Sequence, residues 1–339
     1  MKNKILFYAF LCILMACIPL IPAKILKSGS NSKENSESAE PVTEQEISSR
    51  VYHVLDSDTG EILEISLRDY LIGAVGAEMP VSFELEALKA QAVAAHTYAE
   101  RQAELSSQRP ELKGADFSDD ASKYQAFYTK EELENLYHEN FPENYRKLET
   151  AVDAVLNEVI FYENQPIISA FHAISGGKTE SAENVWGSEI AYLQSVESEA
   201  DKNAPQFEQE AVFNKEEVKT MLLSARDGLF LGTDTAHWFG EPEYSEAGTV
   251  LQIPVGTSIF TGQELRKIFS LRSAVFSIQY ENQKFKFITH GYGHDVGMSQ
   301  YGANEMAKSG ADYKEILTYY YPNTEIKQFS TFNSANVEN

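Results

Sequence analysis

The sequence is almost without cysteine and short of positive charge. Its two cysteines, Cys12 and Cys17, both fall inside one apolar run near the N-terminus, so everything after that run lacks a thiol. A disulfide framework and a cysteine-ligated zinc site are thereby excluded from the body of the chain. Lysine and arginine number 28 against 51 acids in 339 residues, a formal net charge of −23. Lys2, Lys4 and Lys24 all precede the first acid, so the remainder is more acidic still. A polyanion of this kind is repelled by phosphate backbones, and no nucleic-acid partner is expected. There is no internal repeat and no regular alternation of strand with helix, which points to the α+β class.

What the sequence does have begins with an uncharged stretch from Ile5 to Ala23. Its length suits one membrane-spanning helix or a secretory signal. Ile21-Pro22-Ala23 is a weak cleavage site, and Leu14-Met15-Ala16-Cys17 is a poor lipoprotein box because the apolar run continues past the cysteine, so an uncleaved anchor is the preferred reading. The basic flanks, Lys2 and Lys4 against Lys24 and Lys27, do not fix its orientation. An acidic, cysteine-free body behind it reads as a domain on the outer side of the membrane. The expected organisation is a cytoplasmic N-terminus (1–4), a transmembrane anchor (5–24), a disordered Ser/Glu/Asn-rich tether (25–49), a folded domain (50–330) and a C-terminal tail (331–339).

The folded part opens with β-prone runs at 51–55 and 61–65 across Asp58-Thr59-Gly60, a hairpin. Ser66 and Asp69 then form a capping-box signature, and Leu67, Tyr70, Leu71, Ala74 and Val75 recur at helical spacing. The same spacing puts Glu78 on that apolar face, where desolvation raises a carboxyl pKa. Pro80 disfavours helix at Met79, and Ser82 is placed to cap a second, alanine-rich helix. Residues 108–125 read as a surface loop. Further helices are expected from Thr129, over 148–156, from Asn214 to about Ala225, over 301–308 and over 313–320. A second hairpin is expected at 159–172, its outgoing strand ending at Ser175-Gly176-Gly177, and a strand over 285–289 delivers the chain to His290. The architecture implied is a two-lobed domain of mixed helices and short strands with a central cleft.

Three stretches carry candidate chemistry: Ala77-Glu78-Met79-Pro80, the run from Phe171 to Glu180, and HGYGHDVGMSQYG from His290 to Gly302. Paired glycines let a backbone approach a ligand closely. Glu78 reads either as a catalytic acid or as a helix-end cap. His172, His290, His294 and Asp295 would suit zinc, but Gly291 and Gly293 argue against the helix that makes His-x-x-x-His a metal motif.

The AEMP…EALKAQAVAAHTYA block, SGGKTESAENVWG, YLQSV and GYGHDVGMSQYGA…YKEIL…YYP together resemble the stage II sporulation protein D family, over about residues 51 to 329. The resemblance implies a membrane-anchored lytic transglycosylase that cleaves peptidoglycan glycan strands, preferring strands stripped of stem peptides, during engulfment of the forespore. It implies no cofactor. Implied partners are the glycan itself, a sporulation amidase and a membrane scaffold protein of the engulfment complex, and the implied location is the space around the forespore. A lytic transglycosylase can work with one carboxyl group, which protonates the glycosidic oxygen and then takes a proton from the sugar's C6 hydroxyl as the 1,6-anhydro ring closes. Glu78 is the residue to which this role falls.

Substrate contact is assigned to His96, His172, Ser175, Gly176, Gly177, Tyr192, Gln194, His290, His294, Asp295, Gln300, Tyr301 and Tyr321. Two positions depart from the family pattern: His96 stands where Arg is usual, and Gln194 where Lys is usual. If His96 interacts with Glu78, activity is expected to fall more steeply with pH. Tyr192 and the row Tyr319, Tyr320, Tyr321 read equally as sugar-stacking or core residues, with two of the row expected in the core. Two rival functions remain open: a glycan-binding activator of an amidase, without catalysis of its own, and a zinc hydrolase using His172, His290 and His294.

Overall fold

A computed structural model describes residues 50–329; the expected anchor, tether and tail lie outside the described residues. Among the described residues no helix is long and apolar enough to cross a membrane. The chain divides into two compact units. A helical unit takes in residues 50–81, Ala92–Ile168 and 325–329, and a strand-rich unit takes in Ser82–Gln91 and Ser169–Thr324.

The helical unit starts with the expected hairpin, β1 (Val51–Leu55) antiparallel to β2 (Ile62–Ser66). Asp56 closes its turn by accepting bonds from the backbone N–H groups of Asp58 and Thr59, each 2.8 Å. Helix α1 (Leu67–Glu78) is capped by Ser66, whose hydroxyl accepts from Asp69 N–H at 3.1 Å and donates to the Asp69 carboxylate at 2.7 Å. The helix stops at Glu78 because Met79 is extended (φ −128°, ψ 137°), the conformation Pro80 requires of its predecessor. Helix α2 (Leu85–Leu105) begins three residues beyond Ser82, so Ser82 does not cap it.

The expected surface loop at 108–125 is different in the structure. It carries β3 (Phe117–Ser118), parallel to β1, and buries Leu112, Ala115 and Phe117. The Phe117 ring lies 5.3 Å from Tyr52 and 5.1 Å from Tyr70, centroid to centroid, and these three rings form the centre of the unit's core. A few apolar residues at irregular spacing in a polar stretch give no periodic signal, although they bury well. Helices α3 (Lys130–Tyr137) and α4 (Phe141–Asp153) follow, α3 with a full Thr129/Glu132 capping box. Strands β4 (Glu158–Tyr162) and β5 (Gln165–Pro166) make a short hairpin through Glu163 and Asn164, both with positive φ.

That hairpin ends at Pro166, not at His172 as expected. Phe171–His172 is a separate strand, β6, in the strand-rich unit. After α5 (Ala182–Trp186) come β7 (Glu208–Asn214) and α6 (Lys215–Ala225), the latter capped by Asn214 with Glu217. Next are β8 (Glu243–Tyr244), β9 (Val250–Val255), β10 (Ser258–Phe260) and α7 (Gly262–Ile268). Strands β11 (Phe276–Glu281) and β12 (Lys284–His290) then form an antiparallel sheet in the order β11–β12–β7. Val218, Leu222, Trp238, Ile253, Leu265, Phe276, Phe285 and Phe287 are among the core residues between this sheet, α6 and α7. Strand β13 (Met298–Ser299) runs parallel to β6, Met298 opposite Phe171 and Ser299 opposite His172. Helices α8 (Gln300–Lys308) and α9 (Tyr313–Tyr320) complete the unit, and β14 (Glu325–Gln328) returns to pair antiparallel with β4. The sheets are open and of two or three strands, interspersed with helices, which is the α+β class expected.

Candidate functional site

Glu78 is the last residue of α1, partly exposed, and its surroundings raise its pKa from 4.5 to about 7. Desolvation is the cause; the backbone N–H of Ala126, bonded to the carboxylate, opposes it. The segment around Ala126 is tied to α1 at two further points. Tyr128 N–H bonds to Gly73 C=O at 3.2 Å, and the Tyr70 hydroxyl donates to the Gln125 side-chain oxygen at 3.1 Å. Gly73 is required here, because a Cβ would sit 2.1 Å from the Tyr128 carbonyl oxygen. Tyr98, on α2, accepts from the N–H of Gln125 and feels the charge of Glu78. Consecutive backbone amides of one loop therefore hold Glu78 and Tyr98. A partly accessible carboxyl group titrating near pH 7 can both give and take a proton under neutral conditions.

His96 lies in the same unit but has no accessible surface. Its Nδ1 is 3.1 Å from Glu158 C=O, its Nε2 is 3.7 Å from Glu100, and its ring packs edge-on against Phe329. The carboxylate beside His96 is therefore Glu100, one helical turn on. Glu100 also pairs with Arg50 at 3.2 Å and accepts from Tyr52 at 2.6 Å. Burial pushes the Glu100 pKa up, but bonds and charge from His96, Arg50 and Tyr52 bring it below the ordinary value.

The other candidates are in the strand-rich unit. The β6–β13 ladder joins the Phe171–Glu180 run to the second glycine-rich run, with Ile174 and Tyr292 exchanging backbone bonds of 3.1 and 2.6 Å. Gly291 has φ 79°, and a Cβ there would meet the Ile174 carbonyl at 2.7 Å. Ser175, Gly176 and Gly177 turn above Asp201, a residue that carries no motif in the sequence. Its carboxylate accepts from Ser175 N–H (2.9 Å), Ser175 Oγ (2.5 Å) and Ser299 Oγ (2.9 Å), while Ser175 Oγ in turn accepts from Gly177 N–H at 3.1 Å. Burial raises the Asp201 pKa against those bonds.

His172 is fully buried with Nδ1 3.2 Å from Val296 C=O, and desolvation lowers its pKa to about 4. His294 accepts from Val296 N–H at 3.1 Å, and its ring lies 5.8 Å from that of His172. Asp295 is buried beside them. His290 turns to Glu208 at 3.2 Å and packs on Phe207, so His172, His290 and His294 do not converge. Among the described residues no group of three or more His, Cys, Asp or Glu side chains is placed to hold a metal ion. Tyr192 is buried, and the Gln194 amide bonds to Ile190 C=O at 2.8 Å. Gln300 is buried against Gln91 at 3.3 Å, and Tyr301 bonds to Asn203 C=O at 3.3 Å. Tyr320 and Tyr321 are core residues, Tyr321 holding Ala170 C=O at 2.7 Å; the exposed member of the row is Tyr319.

The sequence model of the family described as "Stage II sporulation protein" matches residues 56–162. The stage II sporulation protein D of Bacillus subtilis (strain 168) is 32% identical over 345 residues, and that of Bacillus amyloliquefaciens 33% over 349, each alignment spanning 98% of both chains. An amidase enhancer of Bacillus subtilis (strain 168) is 26% identical over 310 residues, covering 76% of this chain and 40% of that protein.

Proposed function

Because the chain belongs to the stage II sporulation protein D family, we propose that it is a lytic transglycosylase of the sporulating cell wall, with Glu78 as its acid and base. The observation that carries this reading is the Glu78 carboxyl group at a helix end, partly accessible, with a pKa near 7. Protonated, it delivers its proton to the glycosidic oxygen as the C1–O bond breaks. Ionised, it takes the proton of the sugar's C6 hydroxyl, whose oxygen closes on C1 to give the 1,6-anhydro ring. The carboxyl group ends as it began, so one residue serves both steps and no water is consumed. The substrate proposed is a peptidoglycan glycan strand, reached from an N-terminal anchor at 5–24 with the folded part on the outer side of the membrane.

Incubation of purified protein with peptide-free glycan, followed by mass spectrometry, tests this. Anhydro-muramic ends should appear with the native chain and be lost in Glu78→Gln, while the variant retains its fold. Native-rate release by Glu78→Gln would end the assignment. A second reading, activation of an amidase by a catalytically silent glycan binder, is favoured by the likeness to an amidase enhancer. It requires that the protein alone give no anhydro product and that adding it accelerate an amidase on intact peptidoglycan.

A further inference from the structure

The strand-rich unit holds an aromatic-lined cavity that the reaction assigned to Glu78 does not use. Its volume is about 260 Å³, and it opens between the antiparallel pair β11–β12 and the segment 236–244 that leads into β8. One wall is a cross-strand pair: Tyr280 of β11 stands opposite Phe285 of β12, their ring centroids 4.6 Å apart. The other wall carries Phe239, whose ring meets that of Phe285 edge-on at 5.2 Å. Backbone bonds fix this wall to β9, from Gly240 N–H to Pro254 C=O at 2.8 Å and through a bridge between Phe239 and Val255. The pairing of β8 with β9 slips between Glu243 and Tyr244, an irregularity of the kind that re-aims a side chain. Tyr244, 47% exposed, reaches to β11, its hydroxyl 3.4 Å from Phe276 C=O.

Phe239, Tyr244 and Tyr280 thus give the cavity aromatic sides, with Phe285 buried at its base. Glu241 is the one lining residue that carries a charge, and it makes no hydrogen bond or ion pair among the described residues. Burial, and then the charge of Glu241, raises the Tyr244 pKa, so the carboxylate lies near that ring. The neighbouring bases are matched to acids of their own: His237 bonds to Asp234 at 2.8 Å, Lys286 bonds to Glu210 at 3.1 Å, and Lys284 stands opposite Glu281. Aromatic faces are negative and attract a cation, and an unpaired carboxylate adds to the attraction. A neutral sugar would gain from the rings but leave the acid without a counter-ion, and an anion would be repelled by both. The volume is below that of sites for drug-sized ligands, which suits a single side chain.

We infer that this cavity docks a lysine side chain of a partner peptide, its ammonium group against Tyr244 and Tyr280 beside Glu241 and its methylenes against Phe239 and Phe285. A lysine within a peptide brings one positive charge and no carboxylate. The α-amino acid end of a molecule such as diaminopimelate brings a carboxylate next to its ammonium group, and Glu241 repels it. The site lies wholly within the strand-rich unit, and it does not rest on the proposed function.

Ligand-detected NMR titration of the full chain tests this with three probes: N-acetyl-lysine N-methylamide, the corresponding neutral norleucine derivative, and diaminopimelate. The lysine probe should bind about tenfold more tightly than the norleucine probe, the scale of one cation–π contact supported by a carboxylate. That preference should fall in Glu241→Gln and in Tyr244→Leu and persist in Tyr244→Phe, which keeps the ring. Both positions are exposed, so the variants should fold. Equal affinity of the native chain for the lysine and norleucine probes, or no measurable binding of either, overturns the site. So does a preference unchanged in both folded Glu241→Gln and folded Tyr244→Leu. Diaminopimelate binding as tightly as the lysine probe would overturn the peptide-lysine assignment. None of these titrations needs turnover, so absence of anhydro product would count against Glu78 and leave this site standing.

Discussion

Glu78 couples the proposed chemistry to the stability of the fold through one proton. Its folded pKa, about 7, lies above the 4.5 of an unperturbed carboxyl group, so between those values the folded chain holds a proton that the unfolded chain has released. Stability must therefore fall as pH rises from about 4.5 to about 7 and level off above. The full shift would correspond to about 3 kcal/mol, and less in practice because the group is partly exposed. Glu78→Gln removes the effect: urea unfolding should find the variant more stable than the native chain at pH 8 and similar at pH 4. The proposed turnover should lose about tenfold per pH unit above pH 7, where the acid form is scarce. Burial raises the Asp201 pKa as well, but Asp201 matters to the fold through the bonds it receives. Asp201→Ala leaves Ser175 and Ser299 without their partner, and the expected cost of about 2 to 4 kcal/mol should be accompanied by faster amide exchange at Gly177.

Among the elements, the contact of α1 with the 124–128 segment admits no bulk at Gly73. Gly73→Ala must push Tyr128 away, and overpacking of this kind costs about 1 to 3 kcal/mol. Because the Ala126 amide is carried on that segment, the pH midpoint of turnover should move along with the melting temperature; an unchanged midpoint would separate Glu78 from the segment. The helices were legible in the sequence where capping is local: Ser66 with Asp69, Thr129 with Glu132 and Asn214 with Glu217 each act within one turn. The end of α1 at Glu78 was legible for the same reason, through its place at the close of a periodic run. The β6–β13 ladder was not, because two residues of parallel pairing between segments remote in sequence leave no periodic trace. Asp201 was missed because an acid in a polar turn looks like a surface residue until its neighbours are known. His96 drew attention by its position in a motif, and its placement ties it to Glu100 and Glu158 inside the core.

For the molecule as a whole, the net charge of −23 opposes an anionic ligand. Raising ionic strength from about 0.01 to 0.15 M shortens the screening length from about 30 to 8 Å, so affinity for the proposed stripped glycan should rise over that range. Affinity falling steeply with salt would mean that exposed cations dominate instead. The antiparallel register of β7 with β12 sets Glu208 directly opposite His290, and the Gly291 amide bonds to Phe207 C=O at 2.8 Å. The chain thus leaves and re-enters the glycine-loop region at adjacent points, with the apolar core from Val218 to Phe287 enclosed between them. Residues 208–290 have the form of a cassette, and expressed alone they should melt cooperatively. Since this cassette carries its own core, while His172, His294, Asp295 and Trp186 lie outside it, exchanging it between relatives would replace that core as one piece and leave the glycine loops in place.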